Sequence, residues 1–145
     1  IAGYPMQDIK VTVYDGKSHP VDSKEVAFVA AGRKAMLDAL AKASPTLLEP
    51  IAKLTITAPT VTLGDIAGDL ASRRGQVLNT VATSSTSMEI LATVPLAEMD
   101  GYAARLNAMT QGAAVFTFEF YAYQPAPMQK QQELAAKYQR KDEDD

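Results

Sequence analysis

Cysteine is absent from all 145 residues. That excludes disulfides, Cys-ligated zinc and thiol catalysis, and it fits a reducing compartment. Histidine is nearly as scarce. His19 stands alone, so no second imidazole supports a metal site. No apolar run reaches the ~18 residues that a membrane helix needs. No signal-peptide pattern opens the chain. Excess positive charge is missing too: the formal charge is −3, so no global basic field advertises nucleic acid. There is no GxxxxGK[ST] loop to cradle a nucleotide phosphate, and no internal repeat or low-complexity segment. The chain opens at Ile1 and runs almost directly into a strand-like stretch, so we expect it to be cut from something longer.

What is present supports a packed core. Hydrophobic residues make up 47% of the chain, enough for one ordinary domain or two small ones. Ile9, Val11 and Val13 alternate with Lys10, Thr12 and Tyr14, the period of a half-buried strand. From Ser23 to Ala43 the pattern turns helical, with Val26, Val29, Ala30, Met36, Leu37 and Leu40 on one face. Asp22-x-x-Glu25 reads as its capping box. One strand and one helix cannot bury such a stripe, so residues 1–44 are expected to be half of a domain.

A second unit is expected over 45–124. Leu54, Ile56 and Ala58 predict a strand that stops at Pro59. Leu63, Ile66, Ala67 and Leu70 predict a short helix ended by Gly75. Gln76 to Thr83 and Met88 to Val94 read as strands joined by a Ser/Thr-rich turn. Met99, Tyr102, Ala103, Leu106 and Met109 predict a second helix, stopped by Gly112. Ala114 to Tyr123 closes the unit as a strand with Phe116, Phe118 and Phe120 facing the two helices. The fold class is therefore α+β: a ferredoxin-like βαββαβ sandwich preceded by an incomplete α+β unit. Its expected core includes Leu54, Ile56, Ile66, Leu70, Ile90, Leu106, Phe116 and Phe118. Beyond Pro125 and Pro127, residues 125–145 predict a helix, Met128 to Lys141, and an acidic tail. The helix would pack back on the first unit through Leu134 and Tyr138.

Between the first strand and the first helix lies a loop, residues 15–22. Asp15-Gly16 is turn chemistry, because Gly tolerates positive φ. Pro20 fixes its own φ and biases His19 away from the helical region. A strand and a helix would thus hold out a stiff tip carrying the lone His. An exposed His is usually just solvated. Asp15, His19 and Asp22 make a poor metal or acid–base cluster, since both Asp residues have turn and capping roles. Arg73-Arg74 closes a helix, which suits the helix dipole, and it equally suits RNA phosphate contact.

The motifs carry a resemblance. Gly3-Tyr4-Pro5, then Tyr14-Asp15-Gly16-x-x-His19-x-Val21-Asp22-Ser23-x-Glu25-x-Ala27-Phe28, resembles the second half of domain IV of elongation factor G. Leu47-Leu48-Glu49-Pro50-Ile51 resembles the start of that family's domain V. Gly64-Asp65-x-x-Gly68-Asp69-Leu70-x-x-Arg73-Arg74-Gly75 is similar to its first helix. Pro95-Leu96-Ala97-Glu98-Met99-x-Gly101-Tyr102 and Met109-Thr110-Gln111-Gly112 are similar to its second. The resemblance runs over residues 3 to 123 in order. Within it, Ser18 stands where the family usually has an aromatic, and Pro20 where it usually has an acid. The family's three arginines are shortened to Ser72-Arg73-Arg74.

The resemblance implies the C-terminal, ribosome-binding part of a translational GTPase that promotes tRNA–mRNA translocation in the cytoplasm. It implies an RNA-binding tip of Asp15, Gly16, Lys17, Ser18, His19, Pro20 and Asp22, at the small-subunit decoding centre. It implies large-subunit RNA contacts for Arg73, Arg74 and Gln111. The chain itself is expected to be a monomer, with no enzyme activity, no metal, no cofactor and no membrane partner. GTP and Mg2+ belong to an N-terminal domain that these residues do not include. Two other readings on the same domains are a tetracycline-resistance-type ribosomal protection protein and a ribosome-recycling paralogue. A ferredoxin-like small phosphatase is more distant, because Pro59 to Leu63 offers no Arg for a phosphate.

Overall fold

The computed structural model describes residues 2–20 and 24–138. These fall into two compact units. Unit 1 takes the chain through Leu47 and again from Pro127, and unit 2 is Leu48–Ala126.

Unit 2 is built on one strand. β1 (Leu48–Pro59) is followed by a 3-10 turn, then α2 (Leu63–Ser72); the helix upstream of them, in unit 1, is α1 (Glu25–Lys42). β2 (Gln76–Ala82) and β3 (Ser87–Pro95) form a hairpin, and α3 (Tyr102–Thr110) leads to β4 (Val115–Pro125). The sheet is antiparallel with order β2-β3-β1-β4, so the first strand sits between the third and the last. This is the βαββαβ sandwich expected from the periodicities.

The alternation in β1 decides where the core lies. Ala52, Leu54, Ile56 and Ala58 are buried, and across the ladder so are Met88, Ile90, Ala92 and Val94. Ile66 and Leu70 of α2 and Tyr102 and Leu106 of α3 close over that face. Thr55, Thr57 and Lys53 line the other face and are less covered. Fully burying one such aliphatic side chain stabilises by about 1.5–3 kcal/mol.

Several boundaries differ from the sequence expectation. β1 begins at Leu48, well before Leu54. Pro50 is tolerated inside it because the ladder with β3 starts only at Ile51, so no β3 acceptor goes without a donor there. α2 ends at Ser72, and the left-handed residue after it is Arg74 (φ 59), not Gly75. Gly75 is needed for closeness instead: a Cβ there would lie 2.9 Å from the Leu70 carbonyl oxygen and 3.1 Å from that of Thr93. α3 starts at Tyr102 because Met99 belongs to the turn before it.

The Phe stripe is the main correction. Phe116 pairs with Ile56 and Phe118 with Leu54, so the stripe does point to the helix face. Coverage fails: Phe116 is half-buried against Tyr102, but Phe118 is 55% exposed and Phe120 61%. β4 is an edge strand, and the helix layer covers only the first residue of the stripe. Phe118 is therefore not a core residue. A bulge at Tyr121, between the Ala122 and Phe120 pairings, also bends this edge.

In unit 1, Ile9 to Tyr14 is exposed and forms no strand. Alternation alone does not make a strand; it needs a ladder partner, and none lies beside it among the described residues. α1 forms, but Val26 (80%) and Val29 (65%) stay exposed while Met36, Leu37 and Leu40 are less so. The capping residue Asp22 lies outside the described residues. α4 (Met128–Lys137) belongs to the same unit, with Leu134 half-buried and the Tyr138 ring against Gly3. The chain beyond Tyr138, including the end of the expected helix, lies outside the described residues.

These burials set apart two substitutions that the sequence placed together. Ile90→Ala should cost about 2–5 kcal/mol in urea unfolding, and Phe118→Ala within about 1 kcal/mol. An equal loss for both would mean that the helices cover the whole stripe.

Candidate RNA interface

The tip residues Asp15, Gly16, Lys17, Ser18, His19 and Pro20 are all exposed. Asp15 Oδ1 accepts from the Gly16 N–H at 2.8 Å, a local Asx contact. Gly16 does not use the left-handed region, contrary to the turn expected from its sequence. Among the described residues no strand leads into the loop, and the helix α1 follows it. There, Lys24 is the N-cap and its carbonyl accepts from Ala27 and Phe28. Asp22 lies outside the described residues, as do Val21 and Ser23. The tip therefore offers an imidazole, an ammonium and a hydroxyl within three consecutive residues, on exposed chain.

The second group of candidates behaves differently. Arg73 Nε donates to Asp69 Oδ2 at 3.0 Å, one turn back on α2. Its Nη1 donates to the carbonyls of Glu98 (2.7 Å) and Asp100 (2.9 Å), in the connection before α3. The guanidinium also lies 5.3 Å from the centroid of the Tyr102 ring, a cation–π placement. Asp69 is shared: Arg105 Nε of α3 donates to its Oδ1 at 3.2 Å. Arg73 is thus occupied in holding unit 2 together.

Arg74 is more accessible. It forms a bidentate pair with Glu49 at 2.7 and 3.0 Å and also donates to Glu98 Oε1 at 3.1 and 3.2 Å. The hydrogen bond to Glu49 is the main reason that its pKa lies above the ordinary arginine value. Gln111 is exposed and left-handed (φ 53) at the end of α3. The Gly112 N–H satisfies the Asn107 carbonyl at 3.0 Å, and buried Thr110 bonds Leu106 and Ala114, so this corner is rigid. The structure brings Arg73 and Arg74 together; the tip belongs to the other unit.

Tyr102 sits beneath this network, 1% exposed, with Phe116 edge-on at 5.2 Å. Its hydroxyl has no hydrogen-bond partner among the described residues. Burial, then the nearby Asp69 charge, pushes its pKa up to about 12, with Arg73 opposing.

A family model described as elongation factor G, domain IV matches residues 1–44, and one described as elongation factor G C-terminus matches residues 46–134. The chain belongs to the elongation factor G family. A crystal structure of a protein from Thermus thermophilus is also similar, at 38% identity and a TM-score of 0.68. The match covers 83% of this chain and 18% of that one, so the chain spans under a fifth of its length. Elongation factor G domain IV and its C-terminal domain are non-catalytic parts of a translational GTPase that acts with the ribosome. No described helix is long and apolar enough to cross a membrane.

The motifs that carried the resemblance turn out to meet. Glu49, then Asp69, Arg73 and Arg74, then Glu98 and Tyr102 come from three separate motifs and converge on one network. The Asp69–Arg73 pair has i,i+4 spacing, a signal present in the sequence that the sequence analysis did not use. Glu49, Glu98 and Arg105 gave no such signal, because their partners are distant in sequence.

Arg73→Met should leave Asp69 and two carbonyls short of a donor and cost about 3 kcal/mol in urea unfolding. Tyr102 gives a pH test. The neutral phenol is the folded form, so its contribution is full below the unfolded pKa of 10.0 and is lost as pH rises through about 12. Tyr102→Phe should be within about 1 kcal/mol of wild type at pH 7 and should lose less stability than wild type between these pH values. A parallel decline in both proteins would show that Tyr102 is not the group responsible.

Proposed function

We propose that this chain is the tip-bearing, C-terminal part of a translational GTPase that promotes tRNA–mRNA translocation. One observation carries the reading: domain IV and the C-terminal domain of elongation factor G match in that order across almost the whole chain. The exposure of Lys17, Ser18 and His19 supports their use as the contact. Imidazole can donate, accept and stack on a base, which suits a wet RNA groove. Lys17 adds a phosphate-directed charge. Asp15, Gly16 and Pro20 shape the loop around them, with Asp22 at its far end.

For large-subunit RNA, the accessible candidates are Gln111 and the outer edge of Arg74. Arg73 contributes by fixing that surface. Unit 2 therefore approaches RNA with a neutral donor on a rigid corner more than with free charge.

GTP hydrolysis falls to a phosphate-loop domain outside these residues, where GTP and Mg2+ would bind. The protein acts as a monomer in the cytoplasm. The bare stripe of α1 and the exposed Ile9–Tyr14 stretch fit a unit completed by strands from the rest of a longer protein.

In the full-length protein, Lys17→Ala with His19→Ala should slow single-turnover translocation by about tenfold or more, a barrier change of ~1.4 kcal/mol. Ribosome-stimulated GTP hydrolysis should stay near wild type, because the role is positional. Wild-type translocation in this variant would remove the tip as the working end and favour a ribosome-protection or recycling role.

A further inference from the structure

In unit 2, Arg74 (φ 59) and Gln111 (φ 53) hold left-handed backbone without being glycine. Each follows a helix, a position that favours glycine or asparagine because a Cβ is crowded there. Arg74 is held by its bonds to Glu49 and Glu98. The Gln111 side chain is exposed instead. Strained backbone of this kind persists where its surroundings over-determine it, and it gathers at ligand contacts.

The surroundings do over-determine Gln111. Thr110 beside it is 5% exposed, a polar side chain within the core. Its hydroxyl donates to the Leu106 carbonyl at 2.8 Å and accepts from the Ala114 N–H at 3.2 Å, bridging the last turn of α3 to the chain that enters β4. The Ala113 N–H donates to the Thr110 carbonyl at 3.0 Å. At Gly112 (φ 80) a Cβ would lie 3.3 Å from Asn107 Oδ1. The chain is pinned on both sides of Gln111, so its amide is presented at a set position.

The ground around it is uncharged. Residues 58–64, 81–88 and 106–118 contain no Asp, Glu, Lys, Arg or His; charge resumes only at their far ends, at Asp65, Glu89, Arg105 and Glu119. The three segments meet at one end of the sheet, where Pro59 pairs with Ser87 and Thr57 with Val115. The Thr60 N–H donates to the Thr86 carbonyl at 2.9 Å, tying two of them together. A carboxamide on such ground has no cation beside it to draw a phosphate. Its paired donor and acceptor match a base edge, as Gln matches adenine N6 and N7. In RNA those edges are open where bases are unstacked.

We propose that Gln111 is a specificity-determining residue that reads the edge of an unstacked RNA base, with Thr110 as the positioning residue that holds it in place. This role rests on the protein acting with large-subunit RNA, and the tip takes no part in it.

The full-length protein and purified large ribosomal subunits provide the test. Gln111→Ala should weaken binding about tenfold. The slope of log affinity against log salt should not change, whereas loss of a phosphate contact would lower it by about one. Dimethyl sulfate and carbodiimide together attack all four bases, and they should find one base shielded by wild type and open in this variant. Gln111→Gly should bind as weakly as Gln111→Ala, yet raise the melting temperature of the 145-residue chain by about 4 °C. Thr110→Val should weaken binding alone and add nothing to Gln111→Ala, and Thr110→Ser should bind like wild type. Should Thr110→Val not fold, Gly112→Ala displaces the same corner and must weaken binding only when Gln111 is present. Wild-type binding by Gln111→Ala, a slope lowered by about one, or a change confined to ribose acylation overturns base readout. Equal weakening by Thr110→Val with and without Gln111 overturns the positioning role. The tip variants would still slow translocation in each of these cases, and wild-type translocation by them would leave the Gln111 result standing.

Discussion

One guanidinium ties α2 to the connection that leads from β3 into α3. The connection from β3 to α3 leaves the carbonyls of Glu98 and Asp100 without ladder partners, and Arg73 supplies donors to both. Its charge is tolerable at 18% side-chain exposure only because Asp69 lies beside it, at 9%. Asp69 in turn accepts from Arg105, so α2 and α3 are tied through that carboxylate as well as through Arg73 on Tyr102. Beneath that tie, Ile66, Leu70, Tyr102 and Leu106 pack over β1 and β3.

The same tie limits what unit 2 can offer a polyanion. All of its arginines, Arg73, Arg74 and Arg105, meet carboxylates within the unit. Phosphate attraction is correspondingly muted in that part of the chain. The tip presents the contrasting chemistry, with Lys17 and His19 exposed on a short loop. Recognition by shape and neutral donors at Gln111 and charge-assisted contact at the tip are different kinds of grip, and each is suited to its own unit.

Much of unit 2 was legible because its elements bury one face each. Leu54, Ile56 and Ala58 kept strict alternation, and Ile66 and Leu70 kept helical spacing, so type and order followed. The start of β1 was hidden by Pro50, which sits where only one neighbour remains. Phe118 was misplaced because alternation reports the face of a strand and not its position in the sheet. An edge strand has the same period as a central one. Ile9 to Tyr14 failed for a related reason: period two marks what could pair, and pairing requires another strand. At the candidate site, the i,i+4 spacing of Asp69 and Arg73 was available but unread, whereas the Glu49–Arg74–Glu98 link closes only in three dimensions. The choice between helix-end and phosphate roles for Arg73 could not be made from a sequence in which Glu98 and Asp100 were simply two more acids.

The ladder of β1 carries a consequence for synthesis. β1 leaves the ribosome first of the four strands, yet one of its two neighbours is β4, the last. Until β4 emerges, Leu54 and Ile56 have β3 on one side and an open edge on the other. That edge is a template for pairing with other chains. The nascent unit thus spends most of its emergence as an unfinished sheet, and the step that closes it joins the residues farthest apart in its own sequence. Such closure is slow relative to local contacts. Late pairing of first with last strand makes unit 2 an all-at-once folder. Unit 1 waits longer still, since α4 follows only after that closure has become possible.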